Sequence, residues 1–235
     1  MKYKAPIYVS IDTTDIKKSI EISISLKDLI AGIKIGKEFF TKHGPQGIKK
    51  ITDNTKIPFF LDLKFHDIPN TVEKAIKSAC EMNPSILNIH VSGGSKMIKS
   101  AVNAVRNLSP SKKRPLLVGV TILTSLIDDD LREIGFKSNL SDSALKLATL
   151  AKKNGLDGVV CSPHEIKKIR KECGPKFKLI TPGIRLKNDN KHDQRRIMTP
   201  AEALSNGADI LVIGRSITNS KNPIETTKKI LNSLN

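Results

Sequence analysis

The 235-residue chain has no tryptophan, two tyrosines and seven phenylalanines. Aromatic platforms for stacking nucleic-acid bases are therefore scarce. No apolar run approaches the roughly 20 residues of a membrane-spanning helix. The opening Met1-Lys2-Tyr3-Lys4-Ala5-Pro6 carries no apolar signal segment, so a cytoplasmic location is expected. Cysteine is sparse. Cys80, Cys161 and Cys173 form no Cys-x-x-Cys pair, and no histidine stands at zinc-ligand spacing from them. Packed free thiols in a reducing compartment are expected, and no metal. No Gly-x-Gly-x-x-Gly follows the first apolar run, which argues against a dinucleotide fold. Acidic residues are also short: 23 against 40 Lys and Arg, a net charge of +17. Such an excess raises nucleic-acid binding as a reading. The lysines, however, are scattered in pairs such as Lys17-Lys18, Lys49-Lys50, Lys152-Lys153 and Lys228-Lys229, mostly on the polar faces of expected helices. Solvated faces are the better reading, with a general positive field that draws an anionic substrate.

What the chain does have is alternation. Short, nearly continuous apolar runs occur at Ile7–Asp12, Gly32–Gly36, Ile57–Lys64, Ile86–Val91, Leu116–Leu123, Gly158–Ser162, Lys178–Pro182 and Ile210–Gly214. This is the pattern of parallel strands buried on both faces. Amphipathic stretches separate them: Asp15–Leu29, Pro45–Thr52, Asn70–Met82, Ser95–Leu108, Ser141–Lys153, Pro163–Lys171, Pro200–Ser205 and Pro223–Leu234. Asn70, with Glu73 three residues on, reads as an N-cap with its capping box. Eight βα units without a linker predict a single (β/α)8 TIM barrel over residues 1–235, with a doubly wound open sheet as the runner-up.

A barrel places its chemistry at the C-terminal ends of the strands. Those ends carry Asp12, Lys34, Asp62 and Lys64, then His66 and Asp67, then His90, Thr124, Arg185 and Gly214-Arg215. Any one alone is an ordinary loop charge. Charges in several buried strands together are not, because they need partners. Asp62 and Lys64 are two apart, so in a regular strand they share a face. With Lys34 on the neighbouring strand they make a chain of alternating sign. At the other end, Gly214 and Arg215 after the eighth strand have the character of a phosphate site. The long basic loop 183–199, GIRLKNDNKHDQRRIMT, is expected to act as a lid, with Gln194 and Arg195-Arg196 closing over a phosphate.

The stretch Asp62-Leu63-Lys64-Phe65-His66-Asp67-Ile68-Pro69-Asn70-Thr71 resembles the signature of the orotidine 5′-phosphate decarboxylases of bacteria. So do IKIGKEFFTKHGPQ (33–46), NIHVSGG (88–94), VTILTS (120–125), TPGIR (181–185), DQRRIMTP (193–200) and IGRSIT (213–218), which spread the resemblance over essentially the whole chain. The resemblance implies cofactor-free decarboxylation of orotidine 5′-monophosphate. Lys64 would protonate C6, Asp62 would sit beside the substrate carboxylate, and Lys34 would brace Asp62 and contact the ribose. Asp12 would hold a ribose hydroxyl and Thr124 the pyrimidine. Arg185, Gln194, Gly214 and Arg215 would hold the phosphate side, and Pro182 would be a further substrate-binding position. Asp67, Ile68 and Thr71 match substrate-site positions, with Asp67 and Thr71 reaching into the other subunit of a homodimer. Ser10-Ile11-Asp12 stands where the family more often has Ala-Leu-Asp. The alternatives are a magnesium-dependent sugar-phosphate enzyme of related barrel type, which shares Asp-x-Lys-x-x-Asp, and, far behind, a basic nucleic-acid-binding protein.

Overall fold

Parallel strands need both faces covered, and here the apolar runs are covered by a filled interior on one side and by helices on the other. The computed structural model describes residues 5–186 and 197–234. The strands are β1 (Ala5–Ile11), β2 (Ile30–Gly36), β3 (Phe59–Phe65), β4 (Ile86–His90), β5 (Leu116–Val120), β6 (Gly158–Val160), β7 (Lys178–Thr181) and β8 (Ile210–Ile213). They pair in chain order, and β8 closes onto β1 through Ile7↔Leu211 and Val9↔Ile213. The protein is a TIM barrel, not an open sheet.

The helices are α1 (Ile16–Leu26), α2 (Lys37–Thr55), α3 (Pro69–Cys80), α4 (Gly94–Arg106), α5 (Asp128–Glu133), α6 (Leu140–Lys153), α7 (Ile166–Cys173), α8 (Pro200–Ser205), α9 (Arg215–Thr218) and α10 (Pro223–Asn232). Two expectations are corrected. Asn70 does not cap α3: Pro69 already occupies the first turn and Ile68 is the capping position, without a side-chain bond, because proline is preorganised for that turn. α2 begins at Lys37, well before Pro45, and is kinked at Gly44 (φ 56°, ψ −157°), a backbone conformation that favours glycine. The lysine pairs at 17–18, 49–50, 152–153, 167–168 and 228–229 all lie exposed, as solvated helix faces do.

Inward-facing residues follow a period of two. Tyr8, Phe60, Ile86, Val118, Ile180 and Val212 form an apolar plug from six strands. Gly32 makes room for it, since a Cβ there would come within 2.5 Å of both the Tyr8 ring and the Pro58 carbonyl. Two residues further along stand the polar Ser10, Asp62 and Asn88, with Val120, Pro182 and Gly214 at the matching positions of the other three. The plug is thus the floor on which a polar layer rests at the C-terminal end of the barrel.

Candidate active site

β2 and β3 pair with Lys34 opposite Phe60 and Gly36 opposite Asp62, so Lys34 lies next to the inward carboxylate. Lys34 Nζ is 3.2 Å from Asp62 Oδ2, and Lys64 Nζ is 2.7 Å from Asp62 Oδ1. Asn88 on β4 donates from Nδ2 to the same Oδ1 at 2.6 Å. Burial alone would raise the Asp62 carboxyl. The charges of Lys34 and Lys64, with the hydrogen bonds from Lys64 and Asn88, reverse this and hold it at about 2. Lys34, Asp62 and Lys64 thus form a chain of alternating charge, while Asp67, which could have extended it, stands exposed.

The route to it differs from simple strand alternation. Leu61 pairs with Leu87 and Phe65 with Ile89, so four steps along β3 run against two along β4. Within this bulge Lys64 has φ +54°, in the left-handed region that a β-carbon disfavours. Its N–H, off the regular ladder, donates to Asn88 Oδ1 at 2.8 Å.

These groups open into a cavity of about 540 Å³ at the mouth of the barrel. Asp12, Lys34, Asp62 and Lys64 line one side. Thr124, Pro182, Arg185, Gly214 and Arg215 line the rest, so nine of the sequence-predicted residues meet around one space. Val120, Ile122, Leu123 and Val160 give it an apolar wall. Gly214 brings the backbone close to Asp12: a Cβ there would lie 2.9 Å from Asp12 Oδ2, a contact the exposed carboxylate could relieve by turning aside. Arg185 is buried and donates from Nη1 to the Ile184 carbonyl. It is anchored where the 183–199 segment leaves and returns, as Arg185 N–H donates to the Met198 carbonyl and Met198 N–H to the Gly183 carbonyl. Gln194, Arg195 and Arg196 lie outside the described residues.

Asp67, Ile68 and Thr71 are not brought to this cavity. All three are exposed after β3, Ile68 by 66%, and Asp67 Oδ1 accepts the Ile68 N–H. Sequence reasoning also missed four residues. Ser10 donates to Asp12 Oδ1 at 2.7 Å and lines the cavity, as do Leu123 and the buried Cys161. Asn88, fully buried, lies beneath it. The available signal for Asn88 was one amide in the apolar strand Ile-Leu-Asn-Ile-His. Among the described residues no three His, Cys, Asp or Glu side chains are grouped as a metal-ligand set.

His66 and His90, a strand and helix apart in sequence, pack with ring centroids 5.5 Å apart. Desolvation, then the neighbouring His66, Lys37 and Lys64, lower His90 to about 4, with Asp62 opposing. A folded-state value below the unfolded 6.5 means the unfolded chain takes up the proton first. The stabilisation is complete above about pH 6.5 and is lost as pH falls toward about 4. We expect wild type to lose ~2 kcal/mol more between pH 7 and 4 than His90→Gln, allowing for partial exposure. Urea midpoints at the two pH values measure this, and equal losses in the two proteins would refute it.

Known proteins resemble this chain over nearly its whole length. A relative from Wolbachia pipientis subsp. Culex pipiens, named orotidine 5′-phosphate decarboxylase, is 44% identical over 229 residues, covering 97% of this chain and 98% of its own. One of the same name from Ehrlichia canis is 44% identical over 230 residues, covering 98% of each. The solved orotidine 5′-phosphate decarboxylase of Lactobacillus acidophilus superposes with a TM-score of 0.84 at 35% identity, over 98% of this chain and 99% of that one. No helix among the described residues is long and apolar enough to cross a membrane. The family model for the orotidine 5′-phosphate decarboxylase / HUMPS family matches residues 5–230, and with near-complete coverage of its relatives the chain belongs to that family.

Proposed function

We propose that the chain decarboxylates orotidine 5′-monophosphate to uridine 5′-monophosphate, with Lys64 supplying the proton that replaces carbon dioxide at C6. The observation that carries this is the Lys34–Asp62–Lys64 chain at the mouth of a barrel matched end to end by enzymes of that name. The chain is a carboxy-lyase of UMP biosynthesis, and residues 1–235 act as one barrel domain.

The chemistry follows from the charges. When the bond from C6 to the carboxylate breaks, its electron pair stays on a vinylic carbon with poor resonance outlets. A fixed ammonium beside an apolar wall stabilises that developing charge far better than water does. The Lys64 ammonium then gives its proton to C6, carbon dioxide leaves, and the amine regains a proton from solvent. Asp62 stays ionised next to the departing carboxylate and fixes the ammonium in place. Asp12 and Lys34 address the ribose and Thr124 the pyrimidine. Arg185, Gly214 and Arg215 take the phosphate side with Gln194, and Pro182 lines the substrate cavity. Binding the remote phosphate supplies energy that orients the reacting end.

Asp67, Ile68 and Thr71 serve a second copy of the chain. Their exposure outside their own cavity supports a homodimer in which Asp67 and Thr71 complete the neighbouring site. The buried free thiols suit work in the cytoplasm.

The test is orotidine 5′-monophosphate mixed with purified protein in excess EDTA, followed by ultraviolet absorbance. Rapid conversion to uridine 5′-monophosphate is expected. No conversion by folded protein, with turnover of a pentulose or hexulose phosphate on adding magnesium, would transfer the assignment to the sugar-phosphate enzymes.

A further inference from the structure

We propose that Asn88 is a positioning residue that sets the catalytic geometry of Lys64 by clamping its backbone and its carboxylate partner at once. The inference rests on the reading of Lys64 and Asp62 given above and deepens it.

Asn88 is fully buried, and its amide spans two groups 24 and 26 residues away in sequence. Oδ1 accepts the Lys64 N–H at 2.8 Å, while Nδ2 donates to Asp62 Oδ1 at 2.6 Å. The amide can be oriented only one way, since a peptide N–H needs an acceptor and an ionised carboxylate needs a donor. An apolar residue here would leave the Lys64 N–H without this acceptor, and the bulge already removes it from regular pairing with β4. A left-handed conformation at a residue with a side chain is strained and persists where surrounding contacts over-determine it. Lys64 has that conformation, and Asn88 supplies the side-chain contact that fixes its N–H. The same amide orients the oxygen that Lys64 Nζ grips, so one side chain fixes both ends of the lysine. Asn88 does not line the cavity and acts on substrate only through Lys64 and Asp62, so the larger part of its effect is expected in kcat.

Asn88→Asp provides the test. Its carboxylate still accepts from Lys64 N–H but confronts Asp62 with a like charge and no donor. Protonation restores an O–H that donates to Asp62. At pH 8 kcat is expected to fall roughly 100-fold, the cost of an ångström-scale misplacement, with KM changed less than about threefold. Activity is expected to recover as pH falls toward 5, through an ionisation absent from wild type. The charged groups facing Asp62 are Lys34 from β2, Lys64 from β3, His90 from β4 and, on the same side of the cavity, Asp12 just after β1. His90, held at about 4, is silent between pH 5 and 8, and His66 is common to both proteins. Asn88→Ser, a smaller change, is measured alongside in case the aspartate variant does not fold; its kcat is expected to drop at least about tenfold with KM unchanged. A kcat within threefold of wild type in either folded variant, or an Asn88→Asp loss that is flat in pH, overturns the proposal. A merely structural role would lower kcat only with the folded fraction, seen by circular dichroism, and would add no ionisation. Lys64→Ala is the control: if it retains turnover, the underlying site reading fails, whatever the Asn88 variants do.

Discussion

Replacing Lys64 by alanine is expected to cut turnover by roughly four orders of magnitude or more while leaving the barrel folded. Two losses combine. A proton donor positioned in the transition state contributes about 10²–10⁴-fold, and a single preorganised group facing developing charge contributes about 10²–10³-fold. In the proposed mechanism Lys64 supplies both through one nitrogen, so its loss removes both at once. Lys34 is held 3.2 Å from the other oxygen of Asp62. The fold should survive for the same reason. Asp62 keeps Lys34 and the Asn88 amide as partners, so the substitution strands no buried charge without compensation. Absorbance assays under single-turnover conditions, beside circular dichroism spectra of both proteins, measure the two halves. Turnover within tenfold of wild type in the folded variant would remove Lys64 from the role of proton donor.

The strands and most of the site were legible in the sequence for one physical reason. A strand buried on both faces must be apolar throughout, so a charge inside it is conspicuous and must have a partner. Lys34, Asp62 and Lys64 stood out in this way, and their ion pairs are present. What escaped depended on geometry between strands. The bulge between β3 and β4 exists only in their register, and without it Asn88 reads as a lone polar residue in a short strand. Helix starts were hidden where two signals competed. Asn70 resembled a cap, but Pro69 had already opened α3; Pro45 resembled a start, but α2 runs through the kink at Gly44. The places of Asp67, Ile68 and Thr71 come from the resemblance alone, and within one chain they stand exposed outside the cavity.

The proposed sharing of sites between two copies gives the other large effect. Lys64→Ala and Asp67→Ala homodimers are each expected to be nearly inactive, and mixing them should restore about a quarter of wild-type activity. The fraction follows from two-fold symmetry. If each site takes Lys64 from one copy and Asp67 from the other, random exchange makes about half of the dimers mixed. In each mixed dimer one site receives both alanines and the other receives both native side chains. One intact site in half of the dimers is a quarter of all sites. If instead both residues serve their own chain, every site in every dimer carries one alanine and mixing restores nothing. Denaturing and refolding the two variants together, with differently tagged copies purified to prove that mixed dimers formed, separates the cases. Recovery near a quarter establishes sharing. Its absence in proven mixed dimers returns Asp67 to its own barrel, where the exposed stretch after β3 would have to fold inward over the cavity on substrate binding.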